Sequence, residues 1–67
     1  MHGAAAQIFR NLVEKQPNNS TLHYHLAVAL MGQGDSGGAA YELRAALSRS
    51  PAKEEEQRIR TLLATLN

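Results

Sequence analysis

The sequence predicts an all-α fold built from antiparallel helix-turn-helix units, with four helices. Three observations carry this. Apolar residues recur at steps of three and four in each of four segments, and no stretch sustains the two-residue alternation of a half-buried strand. Short turn-rich stretches, "QPNNS", "GQGDSG" and "RSPAK", separate the segments. The chain's two prolines, Pro17 and Pro51, lie 34 residues apart in similar surroundings.

The first helix is expected over about Ala4 to Gln16, with Ala5, Ile8, Phe9, Leu12 and Val13 on one face. Pro17 ends it, because proline lacks an N–H and disfavours helical geometry in the residue before it. Asn18, Asn19 and Ser20 offer capping oxygens to the second helix, expected from about Thr21 to Gly32. There Leu22, Leu26 and Leu30 are spaced by four, and Ala27 and Ala29 let a neighbouring helix come close. Gly32 and Gly34 end that helix, since glycine enters the left-handed region freely.

Asp35 or Ser36 can cap the third helix, expected over about Gly37 to Arg49 with Ala39, Leu43, Ala46 and Leu47 as its buried stripe. Gly37 and Gly38 each weaken its first turn by about 1 kcal/mol relative to alanine. Beyond Pro51 the fourth helix spans about Lys53 to Leu66, burying Ile59, Leu62, Leu63 and Leu66. Glu54, Glu55 and Glu56 sit in its first turn, where the helix dipole favours negative charge. Glu54–Arg58 and Glu56–Arg60 have the spacing of supportive i,i+4 pairs, so this helix is expected to present a polar outer face that includes Glu55 and Arg58. Connections of three to five residues suit antiparallel neighbours.

The proline spacing belongs to an internal repeat. "AAQIFRNLV" aligns with "AAYELRAAL", and "LVEKQPNN" with "LSRSPAKE". Ala5 falls on Ala39, Phe9 on Leu43, Arg10 on Arg44, Leu12 on Ala46 and Val13 on Leu47. In this pattern the chain resembles the tetratricopeptide repeat family, whose period is about 34 residues. His23 stands where that family opens its first helix with an aromatic. Leu26-Ala27 stands for Leu-Gly, and Leu30 takes the next aromatic position. Gly34, Ala39, Leu43, Ala46 and Pro51 complete the series. His23, Ala27 and Leu30 depart from the pattern.

The resemblance implies a single repeat domain over 1–67. Residues 4–17 would be the second helix of a partial repeat, 20–53 a full repeat and 53–66 a capping helix. It also implies a non-catalytic module that binds a protein or peptide. The first helices of the family line its concave surface, which makes Thr21, Tyr24, His25, Val28 and Met31 the expected contact residues. Val28 and Met31 read equally well as core. The lysine and asparagine with which chaperone-binding members clamp a terminal carboxylate are replaced here by Tyr24 and Val28, so no such clamp is expected. A second reading makes the chain the structural C-terminal cap of a longer solenoid, with no ligand of its own. The first helix would then be half of a repeat. Its apolar strip would invite a homodimer with Ile8 or Phe9 in or near the contact.

Other chemistry is weakly supported. The 67 residues hold no cysteine, which removes disulfides and thiolate zinc sites. His23 and His25 diverge by about 200° on a helix and cannot share a metal, and with His2 they form no ligand set. His23 is expected to pack between helices. Adjacent glutamates diverge too, so Glu54 to Glu56 read as a solvated first turn rather than an acid–base pair. Ser20, Ser36, Ser48 and Ser50 lie near helix ends with no base assigned to them. The glycines of "MGQGDSGG" lack the preceding strand and the Lys-Ser/Thr of a phosphate loop. No catalytic residue, cofactor or metal is expected.

Seven Lys/Arg against six Asp/Glu give a formal net charge of +1, which is no basis for nucleic-acid binding. No apolar run approaches the roughly 20 residues of a membrane span. "MHG" does not open a signal peptide. These readings leave the compartment open, leaning slightly towards the cytoplasm, and they allow the segment to be part of a larger protein.

Overall fold

The computed structural model describes residues 2–66, with side chains from Ala4 onward, as four helices: α1 (His2–Lys15), α2 (Ser20–Gly32), α3 (Ser36–Leu47) and α4 (Lys53–Leu66). Among the described residues no strand occurs, and no helix is long and apolar enough to cross a membrane.

Local chemistry sets the boundaries. After α1, the Asn19 side chain accepts from the Leu22 N–H (3.2 Å) and starts α2. At the far end Gly34 adopts φ 84°. Its N–H donates to Met31 O (3.0 Å), and the Asp35 N–H donates to Leu30 O (2.9 Å). This is the paired closure that a left-handed residue after a helix permits. Asp35 then serves the next element, its carboxylate accepting from the Gly38 N–H (2.9 Å). Asp35, not Ser36, is therefore the cap. With that donor satisfied, α3 begins at Ser36, one residue earlier than the two glycines suggest. The helix closes at Leu47, short of Arg49, with Ser48 at its C-cap. Ser50 follows in the left-handed region, φ 56°.

The core is a thin seam of small residues around a few large ones. Ala6, Leu26, Ala27, Ala29, Leu30, Ala39, Leu43, Ala46 and Ile59 are buried together. Ala27, Ala39, Leu43, Ala46 and Ile59 are wholly inaccessible. Alanines at these positions let helix backbones approach closely, while Leu26, Leu43 and Ile59 fill the volume between them. Phe9, Val13, Leu47, Leu62, Leu63 and Leu66 pack around this centre. Each helix packs chiefly on its chain neighbour: α1 on α2, α2 on α3, α3 on α4.

Three sequence expectations change. On α1 the fully buried residue is Ala6, with Ala5, Phe9 and Val13 packed beside the core, whereas Ile8 is 58% exposed. This helix packs mainly on α2, so its apolar arc is narrower than the spacing suggests. On α4, Arg60 pairs with Glu56 (2.9 Å), but the Glu54–Arg58 pair does not form among the described residues. Arg58 instead lines a cleft towards α2. Glu55 also leaves the expected outer face and is drawn to the start of α2.

Candidate functional site: the α2–α4 face

Buried polar chemistry fixes how α2 sits. His23 is 5% exposed. Its Nε2 lies 2.7 Å from Pro17 O and its Nδ1 2.8 Å from Glu42 Oε1. A carbonyl only accepts, so Nε2 carries a hydrogen. The Glu42 contact then needs a second hydrogen, on Nδ1 or on the carboxyl. Arg49 Nε also donates to Pro17 O (3.0 Å). The α1–α2 turn, α2 and α3 are thereby tied at one buried node. His23 packs between helices as its place in the repeat predicts, with both ring nitrogens already engaged by the protein. The His2 side chain lies outside the described residues. Among those described, no group of three or more His, Cys, Asp or Glu is placed to hold a metal.

With His23 turned inward, the opposite side of α2 faces out. Thr21, His25 and Val28 are exposed along it at steps of four and three. Val28 is 45% exposed, so it is not core, whereas Met31 is half-buried against the core. His25 stacks on Phe9 of α1, centroids 5.4 Å apart and planes 27° apart. Tyr24 leans against His25 (5.6 Å, 47°) and is half-buried. Phe9, His25 and Tyr24 thus form an aromatic row running from α1 across α2.

The row continues towards α4. Thr21 Oγ1 lies 3.1 Å from both oxygens of Glu55, and Ser20 Oγ donates to Glu55 Oε1 at 3.4 Å. Below this polar contact a cleft of about 250 Å³ opens between the helices, lined by Tyr24, Gln57, Arg58, Thr61 and Leu62. Gln57, Arg58, Thr61 and Leu62 share one face of α4 at i, i+1, i+4 and i+5. Thr61 Oγ1 is held by Gln57 O (2.9 Å), which leaves the Arg58 guanidinium and the Gln57 amide as the polar rim.

Of the five α2 residues expected at the site, Thr21, His25 and Val28 share the open face, Tyr24 turns to α4 and Met31 retreats to the core edge. The α4 residues were missed because α4 reads as a cap. The 34-residue step would have found them: Thr21 and Glu55 are 34 apart and touch. The same step takes Tyr24 to Arg58 and Val28 to Leu62. Equivalent positions of α2 and α4 therefore adjoin at Thr21–Glu55 and at the cleft that Tyr24 and Arg58 both line.

Helical hairpins in a 34-residue register, stacked so that equivalent faces adjoin, define the class of α-helical repeat proteins. Within that class the sequence profile described as "Tetratricopeptide repeat" matches residues 1–66, and the chain belongs to the tetratricopeptide repeat family. Domains of this family generally mediate protein–protein interaction and are typically non-catalytic scaffolds. Searches of curated proteins and of solved structures return no match.

Proposed function

We propose that the chain is a non-catalytic protein-interaction module that receives a peptide or an exposed protein segment on the α2–α4 face. The observation that carries this reading is the adjoining of α2 and α4 at Thr21–Glu55 and at the cleft shared by Tyr24 and Arg58. Thr21, Tyr24 and Val28 of α2 are matched at the repeat distance by Glu55, Arg58 and Leu62 of α4. A first helix and its repeat partner thereby present one continuous surface with an open cleft between them. In this reading residues 20–53 form one full repeat, 4–17 the second helix of the unit before it and 53–66 the wall that completes the surface. Thr21, Tyr24, His25 and Val28 make contact, and Met31 supports them from the core edge.

The test is selection of displayed random peptides against the wild-type chain, repeated on Val28→Asp and Tyr24→Ala variants whose helicity is unchanged. Peptides enriched on the wild type and lost on both variants support the reading. Equal enrichment on all three refutes it.

A specific observation favours a supplementary role in assembly. Ile8 projects from α1 at 58% exposure, beside the half-buried Phe9. We propose that two copies associate through this strip at high concentration. Sedimentation should show a dimer that Ile8→Glu abolishes, and a dimer indifferent to that change would refute this contact. The reading of α4 as a solenoid cap is supported by its exposed Lys53, Glu54, Arg60 and Thr65. It differs from the interaction reading in expecting no peptide to be selected.

A further inference from the structure

We infer that the cleft between α2 and α4 selects an internal peptide segment in which a large apolar side chain neighbours an Asp or Glu, with Arg58 as the residue that reads the acid. This rests on the interaction surface proposed above and specifies its occupant.

Size argues first. At about 250 Å³ the cleft is smaller than the roughly 300–1,000 Å³ of small-molecule sites and suits one large side chain. Its walls, the Tyr24 ring and the Leu62 side chain, offer mostly carbon surface, so that side chain is apolar.

Charge argues next. Arg58 is exposed at the rim. Among the described residues it makes no ion pair, although Glu54 stands four residues before it in the favourable order. Glu54 is exposed and pairs with nothing among the described residues, whereas the other two neighbouring carboxylates have partners of their own. Glu55 accepts from Ser20 and Thr21, and Glu56 pairs with Arg60. The guanidinium is thus a planar donor fork beside an apolar socket, which a single carboxylate can meet with two parallel bonds. Among the described residues the rim holds one cation, Arg58, and it is open to solvent on the α2–α4 face. That arrangement suits a side-chain carboxylate on a chain running through, rather than a chain terminus gripped by several cations.

The experiment selects random displayed peptides against the wild-type chain and against Arg58→Glu, a change at an exposed site whose folding is checked by circular dichroism. Wild-type selections should be enriched in peptides pairing a large apolar residue with Asp or Glu. Arg58→Glu selections should exchange that acid for Lys or Arg. For one enriched peptide made with a blocked C-terminus, replacing its acid by the amide should weaken binding about two- to fivefold at low salt, the range of a solvent-exposed ion pair. That difference should shrink in high salt. Enrichment with no charge preference, or the same preference on Arg58→Glu, overturns this inference while leaving the interaction surface standing. A requirement for a free C-terminus in place of the internal acid also overturns it. Wild-type enrichment no greater than that on Val28→Asp would instead remove the interaction surface itself.

Discussion

The buried node at His23 offers the sharpest physical test of the fold. Replacing Glu42 with leucine leaves His23 Nδ1 facing a position that was filled by a carboxylate at 2.8 Å, at a ring only 5% exposed. A buried polar group stripped of its partner costs about 1–3 kcal/mol. In a domain of this size each kcal/mol moves the melting temperature by about 4–8 °C, so Glu42→Leu should lower it by at least several degrees. His23→Phe alone strands the Glu42 carboxylate, whose side chain is 15% exposed and which water can partly reach. Its cost should be smaller. Neither change orphans Pro17 O, which keeps the Arg49 Nε donor at 3.0 Å. The double variant removes both halves of the pair and substitutes apolar bulk, a replacement that is often close to neutral. Its stability should therefore exceed the additive expectation by about 1 kcal/mol or more. The assay is urea unfolding followed by far-UV circular dichroism on all four proteins. Additivity within about 0.5 kcal/mol, the behaviour of independent sites, would show that the two side chains do not depend on each other and would refute the node.

Three further outcomes follow from the same geometry. Ala46 is wholly buried in the core, so Ala46→Leu should overpack it and cost about 1–3 kcal/mol; an unchanged melt would mean that the helix register is wrong. Ser50 holds φ 56°, where a side chain is strained, so Ser50→Gly should leave stability unchanged or raise it by up to about 1 kcal/mol, and a clear loss in urea unfolding would contradict the left-handed turn. Zinc or nickel titration should leave the melting temperature nearly constant, because His23 spends both ring nitrogens on Glu42 and Pro17 and His25 stacks on Phe9; tight stoichiometric binding lost in His23→Ala would overturn this.

The helices were legible in the sequence because local signals and the repeat agreed. The 3.6-residue spacing, the two prolines and Gly34 locate the four helices and three turns to within one or two residues at each end. The repeat alignment places Ala39, Leu43 and Ala46 in the core, where all three are inaccessible. What escaped were relations between helices. Glu42 lies 19 residues from His23, and no spacing rule within one helix joins them. Asp35 closes α2 through its N–H and opens α3 through its carboxylate, while composition alone left Asp35 and Ser36 equivalent. Arg58 has the spacing to pair with Glu54, yet it faces a cleft that exists only once α4 lies beside α2. The Tyr24–Arg58 correspondence was present in the 34-residue period but needed that period to be applied to the interaction face as well as to the core.

The packing of each helix on its chain neighbour has a consequence for motion. Contacts of short sequence separation favour rapid folding, and in a linear stack each interface can open almost independently. Helix α4 is held chiefly by α3, with Glu55 reaching across to Ser20 and Thr21. Its opening would break the α3–α4 interface and uncover Ile59, while leaving the α1–α2 and α2–α3 interfaces in place. Because α4 also supplies Arg58 and Leu62, a segment seated against Tyr24 would close the gap from the far side and slow amide hydrogen exchange throughout α4. The exchange rate of this one helix would then report whether the cleft is filled, without any change in the helices behind it.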